Sequence, residues 1–139
     1  MLFIFDLDDT TINSQHRQGE TLADWIALNT PENVAKDSLL PLADSWKTID
    51  QSRDDVVIMT SRVIADADLA FLARSGLRYR FIYSRPEGSM IPCGQLKTAM
   101  VLQCARDLGR SLAWMQSNAY MFDDSDEVRE ALTTLKIKC

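Results

Sequence analysis

Three carboxylates in four positions, Asp6, Asp8 and Asp9 in the stretch FDLDDT, follow directly on the apolar run Leu2-Phe3-Ile4-Phe5. Like charges about 4 Å apart repel by roughly 4 kcal/mol at an effective dielectric near 20, so such a cluster needs a cation or a shared proton. Three further polar sites stand where an apolar run ends or a helix begins: Thr60-Ser61 after VVIM, Lys97 in GQLKT, and Asp123-Asp124 after YMF. One chemistry uses all of these residue types. A phosphate monoester is a dianion, so a carboxylate nucleophile such as Asp6 is repelled unless a divalent metal and a fixed cation neutralise the encounter. Magnesium suits that task, because it takes hard oxygen ligands and keeps several waters. The expected ligands are the carboxylates of Asp6 and Asp123 and the backbone carbonyl of Asp8, with Asp124 behind them or holding Lys97. Thr60 is expected to donate its hydroxyl to the phosphoryl oxygens beside Ser61, and Lys97 to hold both Asp6 and the transferring group. The side chain of Asp8, left free of metal, could protonate the leaving alcohol and then deprotonate water.

The elements that must position these groups are legible as an alternation. Short β-branched or aromatic runs at Leu2 to Phe5, Val56 to Met59, Arg80 to Tyr83 and Tyr120 to Phe122 read as strands, with a weaker fifth at Leu135 to Lys138. Helical spacing covers Thr21 to Leu28, the segment after Thr30-Pro31 through Leu42, Trp46 and Ile49, then Ile64 to Arg74, Gln95 to Leu108 and Asp126 to Leu135. Pro41 is expected to split the second of these, and Gly76 and Gly109 to cap the third and fourth. The pattern predicts a three-layer α/β fold, a Rossmann-like parallel sheet with helices on both faces, and one domain over residues 1–139. The carboxyl ends of parallel strands share one edge, so Asp6, Thr60 and Asp123 converge on one crevice.

DLDDT, a strand-terminal Thr60, Lys97 and then Asp123-Asp124, in that order, resemble the haloacid dehalogenase superfamily of phosphatases from Asp6 to Glu127. Within it the spacing of a helix, the segment VVIMTSR, an Arg-bearing stretch and the late Asp-Asp is similar to the 3'-phosphatase domain of polynucleotide kinase. The resemblance implies a magnesium-dependent phosphomonoester hydrolase working through an aspartyl-phosphate. Asp9 and Ser61 depart from the pattern, standing where glycine is common. Larger members carry a cap domain, but only 12 positions lie between Ser84 and Lys97, and the 49 residues from Thr11 to Met59 must also supply the crossover. A minimal or absent cap follows, with at most the helix Thr21 to Leu28 leaning over the site.

An uncapped crevice, Arg62 close behind Thr60, and Arg85 on the rim in SRPEG favour nucleic-acid 3'-phosphate ends or nucleotides as substrates, with a small-metabolite phosphatase as the alternative. A phosphoacceptor receiver module is disfavoured, because there the acidic pair opens the chain and the lysine comes last. A non-catalytic remnant would have lost Asp6 or Asp8, and both are present. Composition agrees: 139 residues with 46% hydrophobic content make an ordinary domain, and the net charge of -5 speaks against a general nucleic-acid surface. The chain shows no signal-peptide pattern and no span for a membrane, so a soluble, cytoplasmic protein is expected. Cys93, Cys104 and Cys139 lack metal or disulfide spacing and read as bystanders, with Cys139 a reactive tail thiol at most. His16, the one histidine, reads as a surface residue, and Trp25, Trp46 and Trp114 as core.

Overall fold

The computed structural model describes residues 1–139. Four strands, β1 (Leu2–Phe5), β4 (Asp55–Met59), β5 (Phe81–Tyr83) and β6 (Ala119–Phe122), form one parallel sheet in the order β5-β4-β1-β6. Period-two alternation divides their side chains between two cores. Leu2, Ile4, Val57, Met59 and Met121 face one side, against Met100, Val101 and Cys104 of α5 (Cys93–Leu108), Met115 of α6 (Leu112–Asn118) and Val128 and Leu132 of α7 (Asp126–Thr134). Phe5, Val56 and Ile58 face the other, against Ala43 and Trp46 of α3 (Leu42–Lys47) and Phe71 and Leu72 of α4 (Asp66–Arg74). The result is the expected α/β/α sandwich. On the second side Phe5 stacks between Trp46, at 4.7 Å, and Phe122, at 4.9 Å between ring centroids. The Trp46 indole N–H is satisfied by the Arg78 carbonyl at 2.8 Å, so this tryptophan is core, as expected.

The register fixes the site. Phe5 lies opposite Ile58 on one side and Phe122 on the other, and Met59 lies opposite Tyr83. Asp6 and Asp123 therefore leave the sheet level with Met59, and Thr60 follows one residue beyond, with the Asp6 N–H donating to Phe122 and the Thr60 N–H to Tyr83.

Between β1 and β4 the chain makes more than the expected crossover. Ile12–Asn13 (β2) and Ser38–Leu39 (β3) pair antiparallel, framing a 3-10 turn at Gln15–Arg17, α1 (Leu22–Leu28) and α2 (Pro31–Val34). Thr21 and Thr30 cap the two helices through their hydroxyls. Pro41 does not split a continuous helix: α2 has ended at Val34, β3 follows, and Pro41 is the N-cap of α3. Two-residue strands lie below the length at which a period can be read, which is why β2 and β3 left no signal. Helix α6 was also missed; its Ser111 cap accepts the Trp114 N–H at 3.0 Å, but the segment is only 7 residues long. The fifth strand does not form. Lys136 turns to φ 61°, and one parallel bridge, Tyr120 with Lys138, is all that the tail adds to the sheet.

Candidate active site

At the carboxyl edge of the sheet lies a cleft of about 510 Å3. Seven carboxylates (Asp6, Asp8, Asp9, Glu20, Asp123, Asp124 and Glu127) and four cations (Arg17, Arg62, Arg85 and Lys97) line it. Carboxylates outnumber cations there.

Lys97 is the central tie. It sits on the buried stripe of α5 that continues through Met100, Val101, Cys104 and Ala105, so its stem runs through the core and its Nζ emerges on the floor of the cleft. There it donates to Asp6 Oδ1 at 2.7 Å and to Asp123 Oδ2 at 2.6 Å. Asp123, not Asp124, is thus the lysine's partner. Asp124 is exposed and accepts from the Thr10 hydroxyl at 3.0 Å, and the same hydroxyl lies 3.1 Å from Asp6 Oδ2. One ligand oxygen each from Asp6, Asp123 and Asp124 can be chosen with all three within 4.8 Å of one another. Three carboxylate oxygens converging beside a single ammonium are a hard-donor set that fits magnesium. Burial, with Asp123 and Asp8 close by, pushes the Asp6 carboxyl up to about 7 despite Lys97. Asp124 is raised as well, by burial and by Asp123.

Asp8 belongs to a different cluster. Burial would raise its carboxyl, but Arg62, at 2.5 Å from Oδ1 and 3.3 Å from Oδ2, and the Ser14 hydroxyl, at 2.5 Å, hold it below the usual carboxylate range. Its carboxylate is held by Arg62 and Ser14 and is not among the three whose oxygens converge. The Arg62 guanidinium also binds Asp68 at 2.6 Å and lies 3.5 Å from Asp37. Asp37 in turn is held by Arg17 through two bonds of 2.8 Å. Asn29 ties this group to the cleft wall by donating to the Val63 carbonyl at 2.8 Å. Five charged side chains are thus stacked in alternation under the cleft. Charged residues read as surface by default, so nothing in the sequence pattern points to Arg17, Asp37 or Asp68.

Three expectations need correction. Arg62 does not reach outward to a second phosphate, since its nitrogens are taken by Asp8 and Asp68 and it is only 5% exposed. Arg85 does not stand on the rim: it is buried and donates to the carbonyls of Ser61 (2.8 Å), Ile91 (2.7 Å) and Ser89 (3.3 Å), clamping the loop that carries them. Thr60 is wholly buried, its Oγ1 accepting the Arg62 N–H at 3.0 Å, so Ser61 lines the cleft and Thr60 holds the turn behind it.

Asp9 takes φ 63°, the left-handed region where glycine is favoured, and an aspartate tolerates it. His16 lies outside the cleft, with Nε2 2.8 Å from the Asn33 carbonyl. Cys104 is buried, Cys93 lies at the cleft mouth, and burial raises the Cys139 thiol, which works against its reactivity. Trp25 is not core: α1 buries none of its residues, and Leu22, Trp25 and Ile26 face the cleft. No helix is long and apolar enough to cross a membrane.

A parallel sheet with Asp6, Lys97 and Asp123 gathered at its carboxyl edge defines a Rossmann-like α/β domain with a carboxylate-lysine cluster at its strand ends. The family model of the bacteriophage T5 5'-deoxynucleotidase matches residues 1–134, and the chain belongs to that family of nucleotidases. Among solved structures it is similar to a chain of the Pnkp1/Rnl/Hen1 RNA repair complex, with a TM-score of 0.73 and 20% identity, covering 99% of this chain and 40% of that one. A second structure of the Pnkp1/Rnl/Hen1 complex gives a TM-score of 0.73 and 20% identity over 99% of this chain and 44% of the other. The chain therefore spans less than half of the structures it matches, and the likeness is one of fold. A comparison with curated proteins finds no match.

Proposed function

We propose that the protein is a magnesium-dependent phosphatase that releases phosphate from deoxynucleoside 5'-monophosphates through an aspartyl-phosphate at Asp6. The observation that carries this reading is the Lys97 ammonium bridging Asp6 and Asp123 with Asp124 alongside. Membership of the 5'-deoxynucleotidase family supports the choice of substrate. So does the commitment of every arginine in the cleft, which leaves no cation to take the second phosphate of a nucleic-acid end.

Asp6, Asp123 and Asp124 would hold the magnesium ion, which when bound neutralises the phosphoryl oxygens and favours the ionised form of Asp6. A carboxylate oxygen of Asp6 attacks phosphorus as the bond from phosphorus to the nucleoside 5' oxygen breaks. Lys97 keeps that carboxylate oriented and adds fixed positive charge as negative charge gathers on the phosphoryl oxygens. The departing oxygen takes a proton from Asp8. Arg62 disfavours the protonated acid in the free protein, whereas the arriving phosphate dianion raises the proton affinity of Asp8. Water then attacks the acyl phosphate, Asp8 accepts its proton, and Asp6 is regenerated with release of inorganic phosphate.

The test is phosphate release, with magnesium and with chelator, from deoxynucleoside 5'-monophosphates, deoxyribose 5-phosphate and 3'-phosphorylated oligonucleotides. Magnesium-dependent release that favours the mononucleotides is expected. Faster release from oligonucleotide ends would move the assignment to nucleic-acid repair chemistry, and no release from any of them would remove it.

A further inference from the structure

Above the charged floor the cleft has two apolar walls that the phosphate chemistry does not use. One is α1, whose Leu22, Trp25 and Ile26 line the cleft although the helix contributes nothing to either core. The other is the loop Met90-Ile91-Pro92 that leads into α5. Ile26, Met90 and Ile91 are 39%, 63% and 47% exposed, a concentration of large apolar side chains around one opening. Both walls are held in place by partly buried polar ties. Asn29, at the end of α1, donates to Val63, and Arg85 grips the carbonyls of Ser89 and Ile91. Apolar side chains fixed in position at a solvent-filled opening need an occupant.

We infer that Trp25 of α1 and the Met90-Ile91 loop form a clamp for the nucleobase of a mononucleotide whose phosphate lies on the Asp6-Lys97 floor. The inference rests on the proposed nucleotidase reading and adds to it how the base is held. A base is a flat apolar ring that an indole face can stack on, and the walls belong to the same cleft as the floor, whose volume is in the range of small-ligand sites. The side chains of the clamp are aliphatic or aromatic, and the Asn29 amide nearby is spent on Val63 and Asp68. The clamp therefore holds the base by stacking.

The experiment compares a deoxynucleoside 5'-monophosphate with deoxyribose 5-phosphate, which has the same ester and no base, for the parent protein, Trp25→Ala, Trp25→Phe and Ile91→Ala. Stacking on one aromatic side chain contributes about 1–3 kcal/mol, which is about 5- to 150-fold in KM. Trp25→Ala is expected to lose at least about fivefold more kcat/KM on the nucleotide than on the sugar phosphate, mostly in KM, with Trp25→Phe recovering most of the loss. Ile91→Ala, on the opposite wall, is expected to shift the same ratio in the same direction. Equal losses on both substrates, or an unchanged ratio in all three variants, overturn the clamp while leaving the phosphatase intact. Failure of the parent to hydrolyse either compound overturns the nucleotidase reading and the clamp with it.

Discussion

The floor and the walls of the cleft are built by opposite means. On the floor the ion-paired groups are largely buried and lie at strand ends or on helices that pack on the sheet: Asp6 and Asp123 on Lys97, Asp8 on Arg62, Arg62 on Asp68, with Asp124 alone of the acidic trio exposed. The walls come from a helix that buries none of its residues and a loop kept in shape by one arginine. The difference teaches where rigidity is required. Groups that must meet a reacting phosphorus need positions fixed to fractions of an ångström, whereas a surface that only stacks can tolerate adjustment.

The largest effect should come from breaking the floor at its nucleophile. Asp6→Asn keeps the shape and leaves Lys97 paired with Asp123, so the fold should survive while magnesium-dependent phosphate release falls below about a hundredth of the parent rate, because the amide does not attack phosphorus. Retained activity above that level, with the variant folded by circular dichroism, would remove Asp6 from the nucleophile's place. Next comes the buried alternation of charges. Arg62→Ala strands Asp8 and Asp68 without their main counter-ion and should cost about 3–5 kcal/mol in urea unfolding. Asp8→Asn leaves Arg62 on Asp68 and should cost far less stability, yet slow turnover by about 10²–10⁴-fold. If the two variants were equally stable, the network would not be holding the floor.

How much of this was legible follows the same division. The strand ends were readable because an apolar run that stops at Asp6, Thr60 or Asp123 puts a polar residue where the period demands none. Lys97 was readable because it interrupts an apolar helical stripe. The sheet, its parallel order and the convergence of these residues followed from that. The Arg17-Asp37 pair was not, since it joins a short 3-10 turn to a loop residue 20 positions on, both of which composition alone assigns to solvent. Arg62 and Arg85 are legible as cations but not in their places: sequence puts them near the candidate site, and only the fold shows that Asp8, Asp68 and the carbonyls of the 89–91 loop reach them first. Trp25 reads as core because large aromatics usually belong there, and only the fold puts it on the cleft.

A pH experiment sharpens the contrast between the two acids of the floor. Asp6, raised by burial to about 7, binds its proton more tightly in the folded state. Its contribution to stability is therefore complete below the ordinary value of 3.8 and is lost as pH rises through about 7. Asp8, lowered by Arg62, behaves the other way, stabilising above the ordinary carboxylate value and losing that contribution in acid. In chelator the Tm of the parent should fall relative to that of Asp6→Asn between pH 5 and 8. Magnesium, which favours the ionised form of Asp6, should raise the parent's Tm more at pH 8 than at pH 5. Parallel Tm profiles for parent and variant would mean that Asp6 carries no raised proton affinity.

The smallest expected effect comes from comparing two tryptophans. Trp46 is fully buried, stacked on Phe5 and hydrogen-bonded to Arg78, so Trp46→Ala should cost about 3–5 kcal/mol, as large-to-small changes in a core do. Trp25 stands on a helix that buries nothing, and its ring faces the cleft. Trp25→Ala should change stability in the absence of ligand by no more than about 0.5 kcal/mol, the range of ordinary surface substitutions. Urea unfolding of both variants decides the matter. A loss at Trp25 approaching that at Trp46 would mean that α1 is a structural layer, and the separation of a rigid floor from adjustable walls would have to be given up.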